Sequence, residues 1–229
     1  GDGTTTQRNI PTQESSMATD WAAIATGNGF TCATKMDGTR HCWGTNSVGQ
    51  GADGTTTGIT APKACDMDTD WGTSVELGET SGCAQKKSGA LYCWGDGSSG
   101  QTGLPGDESP KLTPAQTGTD TDWISFSSGF RFTCGVRQAG ELLCWGANTR
   151  AAAGHGFVSD RLDATNVTAD ADWERVDTQL DNGCAIRTGG NLYCWGRNVY
   201  GHLGDGTTIA HAAPVQIGMG TVWSRVALG

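Results

Sequence analysis

The residues best able to do chemistry are eight cysteines that recur in pairs ten residues apart. The second cysteine of each pair precedes Trp-Gly, and the pairs are Cys32 with Cys42, Cys83 with Cys93, Cys134 with Cys144, and Cys184 with Cys194. Cysteines can bind metals, exchange electrons or form disulfides that hold a fold together. Zinc sites favour paired cysteines two to four residues apart and redox sites favour Cys-x-x-Cys, and the chain has neither spacing. The pattern therefore favours structural disulfides, with no metal site.

A glycine follows the midpoint of every cysteine pair, at positions 38, 89, 140 and 190. A three-residue hairpin loop needs glycine at its third position, where φ is positive. Loops at 36–38, 87–89, 138–140 and 188–190 would place the paired cysteines opposite each other, with Cα atoms about 4.5 Å apart. The sequence thus predicts four disulfides within hairpins. Such bonds persist in oxidising compartments, which predicts an extracellular or cell-surface protein.

Cys65 is the ninth cysteine and has no partner in this scheme. The equivalent positions in the other repeats hold Thr117, Val167 and Ile217, which favour strands. Two interpretations remain open for Cys65. It is either a small buried thiol, or it bonds to another chain or to a segment missing from this one.

The elements that position these cysteines are repeats of about fifty residues. One tryptophan series is spaced 50, 52, 50 and 50 residues apart and comprises Trp21, Trp71, Trp123, Trp173 and Trp223. The other is spaced 51, 51 and 50 and comprises Trp43, Trp94, Trp145 and Trp195. Short alternating runs bounded by Gly, Asp and Asn indicate strands, and about four strands per repeat is typical of a propeller blade. We expect these tryptophans to pack between blades rather than to stack on sugars.

The predicted fold class is all-β, a β-propeller of four-stranded blades with four complete hairpin units plus a partial one. The units are 21–70, 71–122, 123–172 and 173–222, with partial units at 1–20 and 223–229. Residues 1–229 would then form a single propeller domain or a propeller fragment.

These repeats resemble the regulator of chromosome condensation family. The resemblance covers essentially the whole chain and rests on Trp-x-x-Val/Ile, the strand Gly190–Gly196 (GNLYCWG), the loop Asn198–Gly204 (NVYGHLG) and Pro214-Val-Gln216. It implies a seven-bladed ring, with roughly two and a half blades outside this chain. The disulfide-bearing repeats are similar to secreted or surface forms of the family. The nuclear exchange factor of the family acts on a small GTPase and binds chromatin, roles that the acidic charge and the disulfides do not fit.

Charge and composition exclude several function classes. Fifteen Lys and Arg face 24 Asp and Glu, giving a net charge of −9. That balance argues against nucleic acid as a partner, and no apolar run is long enough for membrane insertion. The four histidines are scattered with no Ser/His/Asp order, so we predict no enzyme and no cofactor. The Asp-Thr-Asp turns could hold Ca²⁺, although aspartate also caps turns.

The third repeat carries a basic and aromatic cluster that is unusual in an acidic chain. It comprises Phe130, Arg131, Arg150, His155, Phe157 and Arg161, and Ala151 replaces the glycine of the other loops. Arginine and aromatic side chains dominate binding hot spots, so this is the candidate ligand patch, with ordinary loop variation as the alternative. Asn166-Val-Thr168 is a possible glycosylation site.

These features predict a non-enzymatic extracellular or cell-surface binding module that recognises a protein or glycan partner through propeller loops, in a role such as adhesion. One alternative is a structural subunit of an extracellular filament or surface assembly, joined to other copies or subunits. Another is a secreted hydrolase or lyase with a site in the central channel.

Overall fold

The structure is a computed structural model that describes residues 1–229, and its regular elements are all β-strands. Blade 1 contains β1 (Trp21–Thr26), β2 (Phe30–Lys35), β3 (Arg40–Gly44) and β4 (Ile59–Ala64). Blade 2 contains β5 (Trp71–Leu77), β6 (Ser81–Lys86), β7 (Leu91–Gly95) and β8 (Lys111–Gln116). Blade 3 contains β9 (Trp123–Ser128), β10 (Phe132–Arg137), β11 (Glu141–Gly146) and β12 (Arg161–Ala171). Blade 4 contains β13 (Trp173–Gln179), β14 (Asn182–Arg187), β15 (Asn191–Gly196) and β16 (His211–Ile217).

Each blade is an antiparallel sheet whose four strands pair in chain order. This is the all-β, propeller-blade architecture that the sequence predicts. The structure contains no helix of the length and apolar character needed to cross a membrane.

A disulfide closes the central hairpin of every blade. The paired cysteines lie directly opposite each other in the register, and their Cα atoms are 4.1 Å apart in all four hairpins. The four bonds join Cys32 to Cys42, Cys83 to Cys93, Cys134 to Cys144, and Cys184 to Cys194. The Cα atoms are thus slightly closer than the separation of about 4.5 Å that an ideal non-hydrogen-bonded pair would give.

The hairpin turns leave space only for glycine at their third position. Gly89 has a φ of 90°, and a Cβ atom there would lie 1.9 Å from the carbonyl oxygen of Thr121. Only glycine fits this turn, because it tolerates positive φ and leaves room for the neighbouring backbone.

The core lies between consecutive blades. Trp71 packs with Phe30 and Ala52, which joins blade 2 to blade 1. The chain termini add no strand to any sheet. Gly3 donates a backbone hydrogen bond to Thr60 of blade 1, and Trp223 donates one to Gly190 of blade 4. The four blades therefore stand in sequence with a terminal segment packed on each end, and the seven-bladed ring stays a prediction.

Candidate binding face

The blades present two different faces. The loop face carries the turns after the first strands (27–29, 78–80, 129–131 and 180–181) and the long loops after the third strands (45–58, 96–110, 147–160 and 197–210). Backbone hydrogen bonds hold turn and loop together, as between the N–H of Ala147 and the carbonyl of Arg131. The hairpin face, at the opposite end of the strands, carries the turns of the disulfide hairpins and the linkers between blades.

The turns of the loop face are joined from blade to blade. Glu79 donates its N–H to the carbonyl of Phe130 over 2.9 Å, and Phe130 donates to Leu180 over 3.0 Å. Turn residues of all four blades line a central cavity of about 350 Å³, and Phe130 and Leu180 are among them. This network gives the centre of the loop face a defined shape, because its backbone groups are satisfied within the fold.

A second cavity, the blade 3 groove, lies beside the central one. It has a volume of about 230 Å³ and is lined by residues of blades 2, 3 and 4, among them Ser99, Phe130, Arg131, Arg150 and Asp181. Phe130 lines both cavities and is 37 % exposed. An aromatic ring therefore stands between the central cavity and two arginines.

Both arginines of the groove form ion pairs across blade boundaries. Arg131 of blade 3 lies 3.1 Å from Asp96 of blade 2 and 3.8 Å from Glu79. Arg150 lies 2.5 Å from Asp181 of blade 4. Burial alone would raise the pKa of Asp96, but hydrogen bonds from Ser98 and Arg131 outweigh it and hold that pKa below its usual value. The groove is thus a fixed arrangement of alternating charges rather than a free basic patch.

The candidate patch divides into two groups in the structure. His155 stacks on Phe157 with ring centroids 5.8 Å apart, and the Arg161 guanidinium lies 4.3 Å from the Phe157 ring centroid. This stack lies at the start of the outer strand, β12, and contributes no residue to the blade 3 groove. Burial lowers the pKa of His155 despite a hydrogen bond with the carbonyl of Thr165.

Asn148 is the physical reason for this division. Its side-chain amide donates to the carbonyl of Phe157 over 2.8 Å and accepts from the N–H of Ala153 over 2.9 Å. These bonds fold the loop around a buried polar side chain. As a result, Arg150 stays on the loop face while the following residues turn toward β12.

Tyr200 is a surface residue that sequence reasoning overlooked. It is 82 % exposed and lines a neighbouring groove with Leu180, Arg197 and His202. The repeat register carries the signal, because Asn198-Val-Tyr200 occupies the place of Asn148-Thr-Arg150. Together these residues extend the row of exposed aromatic and arginine side chains along the loop face.

The aspartates of the linker turns have basic partners within the chain. Arg137 pairs with Asp120 at 3.0 Å and with Asp122 at 2.8 Å. Arg187 pairs in the same way with Asp170 and Asp172. No group of three or more His, Cys, Asp and Glu side chains is placed to hold a metal ion. These turns act in the structure as clamps on the basic residue that ends each second strand.

The inner strands bring two carboxyl groups near each other. Burial and the negative charge of Asp177 raise the pKa of Glu76 to about 7. Asp177 accepts hydrogen bonds from the Ser127 hydroxyl over 3.2 Å and from the Leu228 N–H over 2.6 Å. Glu76 is therefore a carboxyl that can change charge near neutral pH.

The disulfide cysteines belong to the core and not to the binding face. All eight are buried, and none of them lines the central cavity or the blade 3 groove. The disulfides of blades 1 to 4 pack in four separate apolar clusters, which contain Cys32 and Cys42, Cys83 and Cys93, Cys134 and Cys144, and Cys184 and Cys194 respectively. These cysteines therefore stabilise each blade internally and expose no surface to a ligand.

Two further predicted positions are placed clearly by the structure. Asn166 is exposed on β12, opposite Leu143 of β11. Cys65 is a free, buried cysteine that directly follows β4.

Comparison with known proteins identifies the repeats. Two family models, both described as "Regulator of chromosome condensation (RCC1) repeat", match this chain. One covers residues 88–136 and 189–229, and the other covers 123–151. The ultraviolet-B receptor UVR8 of Arabidopsis thaliana is 31% identical over 144 residues, which is 61% of this chain and 32% of the receptor. The mouse E3 ubiquitin-protein ligase HERC2 is 28% identical over 145 residues, which is 58% of this chain and 3% of the ligase.

Solved structures show the same fold. Yeast RCC1 (Prp20), solved bound to Kap60, has a TM-score of 0.78 at 18% identity over 92% of this chain and 51% of that one. Human WBSCR16 has a TM-score of 0.78 at 18% identity over 91% of this chain and 56% of that one. The chain thus spans about a third or less of the curated relatives and about half of these structures. The resemblance is therefore confirmed: residues 88–151 and 189–229 match regulator of chromosome condensation repeats, and the chain has the fold of β-propeller blades.

Proposed function

We propose that this chain is a non-enzymatic binding module that works in an oxidising compartment, outside the cell or on its surface. In this proposal it binds a protein partner through the loop face. The observation that carries the proposal is the blade 3 groove, where Phe130 lies between the central cavity and Arg131 and Arg150. The fold is consistent with protein binding, since yeast RCC1 (Prp20), which has the same fold, binds Kap60 and has been studied for binding to Gsp1p and histones.

The chemistry of the groove favours a protein surface as the partner. Exposed aromatic rings and arginines supply most of the binding energy at protein interfaces. The paired carboxylates of Asp96 and Asp181 keep the arginines extended and oriented, which reduces the entropy that binding must offset. A partner with an apolar side chain for Phe130 and carboxylates for the outer edges of the arginines would fit this surface.

The proposed compartment rests on the disulfides. Four disulfides close the four hairpins, and such bonds persist in secreted and surface proteins and are rare in the cytosol. Adhesion and glycan binding are finer versions of the same proposal, and the exposed Tyr200 ring is a surface on which a sugar could stack.

Photo-cross-linking can test the proposal. A benzophenone amino acid is placed at position 150 in the blade 3 groove, or at position 87 on the hairpin face as the matched control. Each protein is incubated with the secreted and surface fraction of the producing organism. We expect a specific cross-linked protein from position 150 that position 87 does not give. Identical products from both positions would contradict a loop-face site, and binding on a glycan array that is lost in Phe130→Ala would assign a glycan ligand instead.

A secreted hydrolase or lyase with a central site is the second candidate, and Glu76 is the observation that favours it. A carboxyl with a pKa of about 7 matches the needs of general acid-base catalysis at neutral pH. Activity on a panel of polysaccharides that disappears in Glu76→Gln would support this candidate. Equal rates for the variant and the original chain would remove it.

A further inference from the structure

Blade 1 contains a third sulfur next to its disulfide, which the other blades lack. The Sγ of Cys65 lies 3.0 Å from the Sγ of Cys42, which is already bonded to Cys32. Even carbon atoms reach optimal van der Waals contact only at about 3.5–4.0 Å, so the two sulfurs are closer than ordinary packing requires. The equivalent residues of blades 2, 3 and 4 are Thr117, Val167 and Ile217.

A buried positive charge faces the same sulfur. Arg40 is 1 % exposed, and none of its guanidinium nitrogens has a hydrogen-bond partner. Its guanidinium lies 3.5 Å from the ring centroid of Trp71 and 4.2 Å from that of Trp94, and its nearest carboxylate, on Asp66, is 3.9 Å away. The other blades have leucine at this position, as Leu91, Leu142 and Leu192. An arginine and a cysteine have therefore both replaced core residues in one blade.

The arginine charge acts on the reactivity of Cys65. Burial raises the pKa of the Cys65 thiol to about 11, and the positive charge of Arg40 opposes that rise. The thiolate, not the thiol, attacks a disulfide. The buried positive charge of Arg40 thus stabilises the thiolate form of Cys65, which is the form that can react with the neighbouring sulfur.

We propose that blade 1 contains a thiol–disulfide exchange site in which Cys42 pairs with either Cys32 or Cys65. The Cys65 thiolate attacks the Sγ of Cys42, the Cys42–Cys65 bond forms, and the Cys32–Cys42 bond breaks. Cys32 leaves as a thiolate and accepts the proton that Cys65 released. The number of thiols and of disulfides is unchanged, so the step consumes no oxidant and no reductant.

The exchange would change which strands are covalently joined. The Cys32–Cys42 bond links β2 to β3, whereas a Cys42–Cys65 bond links β3 to the end of the outer strand, β4. The Cys65 N–H already donates to the carbonyl of Arg40 on β3 over 3.0 Å. The backbone is therefore already in place for a Cys42–Cys65 bond. When that bond forms, Cys32 is released and β2 loses its covalent link to β3.

Thiol counting on cysteine variants tests the proposal. The chain has nine cysteines, so four disulfides leave one thiol. After refolding in glutathione buffer, we expect Cys32→Ser to have no free thiol, because Cys42 pairs with Cys65. The matched control Cys83→Ser should have two free thiols, Cys65 and Cys93, because Thr117 offers no sulfur. Two free thiols in folded Cys32→Ser, judged by near-ultraviolet circular dichroism, would overturn the proposal.

The unmodified chain gives a second test that does not depend on a variant folding. The native protein is incubated with iodoacetamide at mildly alkaline pH, and its disulfides are mapped by non-reducing digestion and mass spectrometry. We expect a population alkylated at Cys32 that contains a Cys42–Cys65 bond, and a smaller population in Arg40→Leu. Alkylation confined to Cys65 would overturn the proposal.

Discussion

The indole Nε1 of Trp94 in blade 2 donates a 2.8 Å hydrogen bond to the backbone carbonyl of Gln50 in blade 1. Trp145 makes the equivalent bond to Gln101, and Trp195 makes it to Ala152. The three indoles are fully buried. The tryptophan of the Cys-Trp-Gly motif in blades 2, 3 and 4 thus joins its blade to the long loop of the preceding blade.

We expect Trp94→Phe to lower the free energy of unfolding by about 2 kcal/mol. The change leaves the buried Gln50 carbonyl without its donor and opens a small cavity. The matched control is Trp43→Phe, because Trp43 is partly exposed, and its expected loss is below about 1 kcal/mol. Urea unfolding followed by circular dichroism measures both, and equal losses would argue against a role for the inter-blade bond.

Glu76 makes stability depend on pH. Its pKa rises from 4.5 to about 7 in the folded state, so the fold favours the protonated carboxyl. The contribution of Glu76 to the free energy of unfolding is fully present below pH 4.5, where the carboxyl is protonated in both states, and it is lost as pH rises toward 7. Glu76→Gln stays neutral, so it should gain roughly 3 kcal/mol over the original chain between pH 4.5 and pH 8.

Thermal unfolding at several pH values checks this prediction. Glu174→Gln is the control, because Glu174 is an exposed glutamate on an inner strand. A stability difference between Glu76→Gln and the original chain that stays constant with pH would show that Glu76 is not protonated by folding.

Ala151 carries backbone strain that glycine would relieve. Its φ is 62°, while the equivalent Gly49, Gly100 and Gly201 have φ values of 86°, 83° and 78°. A left-handed conformation costs a non-glycine residue about 1–2 kcal/mol, partly offset by the greater chain entropy of unfolded glycine. We expect Ala151→Gly to raise the free energy of unfolding by about 0.5–1 kcal/mol. A loss of stability in urea unfolding would contradict this account, and Ala152→Gly provides the comparison.

The disulfides should contribute strongly and equally. Each closes a loop between cysteines ten residues apart, which the chain-entropy relation equates with about 3 kcal/mol. We expect the double alanine variant of Cys83 and Cys93, and that of Cys134 and Cys144, each to lose about that amount in denaturant unfolding. A loss below about 1 kcal/mol in either double variant would show that backbone pairing alone holds the hairpin.

The regular parts of the fold could be predicted because their signals are local and repeated. The ten-residue cysteine spacing and Gly38, Gly89, Gly140 and Gly190 define the hairpins within a few residues of chain. The two tryptophan series define the blades in the same way. Each repeat therefore supports the interpretation of the others.

The site could be predicted only in part because its geometry depends on side-chain contacts that the residue types and their spacing do not specify. The sequence groups Arg150 with His155 and Phe157, but Asn148 bends the loop between them. The pKa of Glu76 is raised by burial and by the charge of Asp177, which lies two blades away. The position of Cys65 beside Cys42 depends on the register between β3 and β4. The last two relationships join residues of different strands and therefore have no local sequence signal, whereas the asparagine of the loop recurs as Asn46, Asn148 and Asn198.

We propose above that the loop face binds the partner, through the blade 3 groove. The most direct measurement is the affinity of the cross-linked partner for Phe130→Ala/Arg150→Ala, compared with Met36→Ala/Lys87→Ala on the hairpin face. We expect the loop-face variant to lose at least about tenfold in affinity, since aromatic and arginine hot spots cost more than about 1 kcal/mol each when truncated. The hairpin-face variant should bind like the original chain. Equal affinities for the two variants would contradict the account.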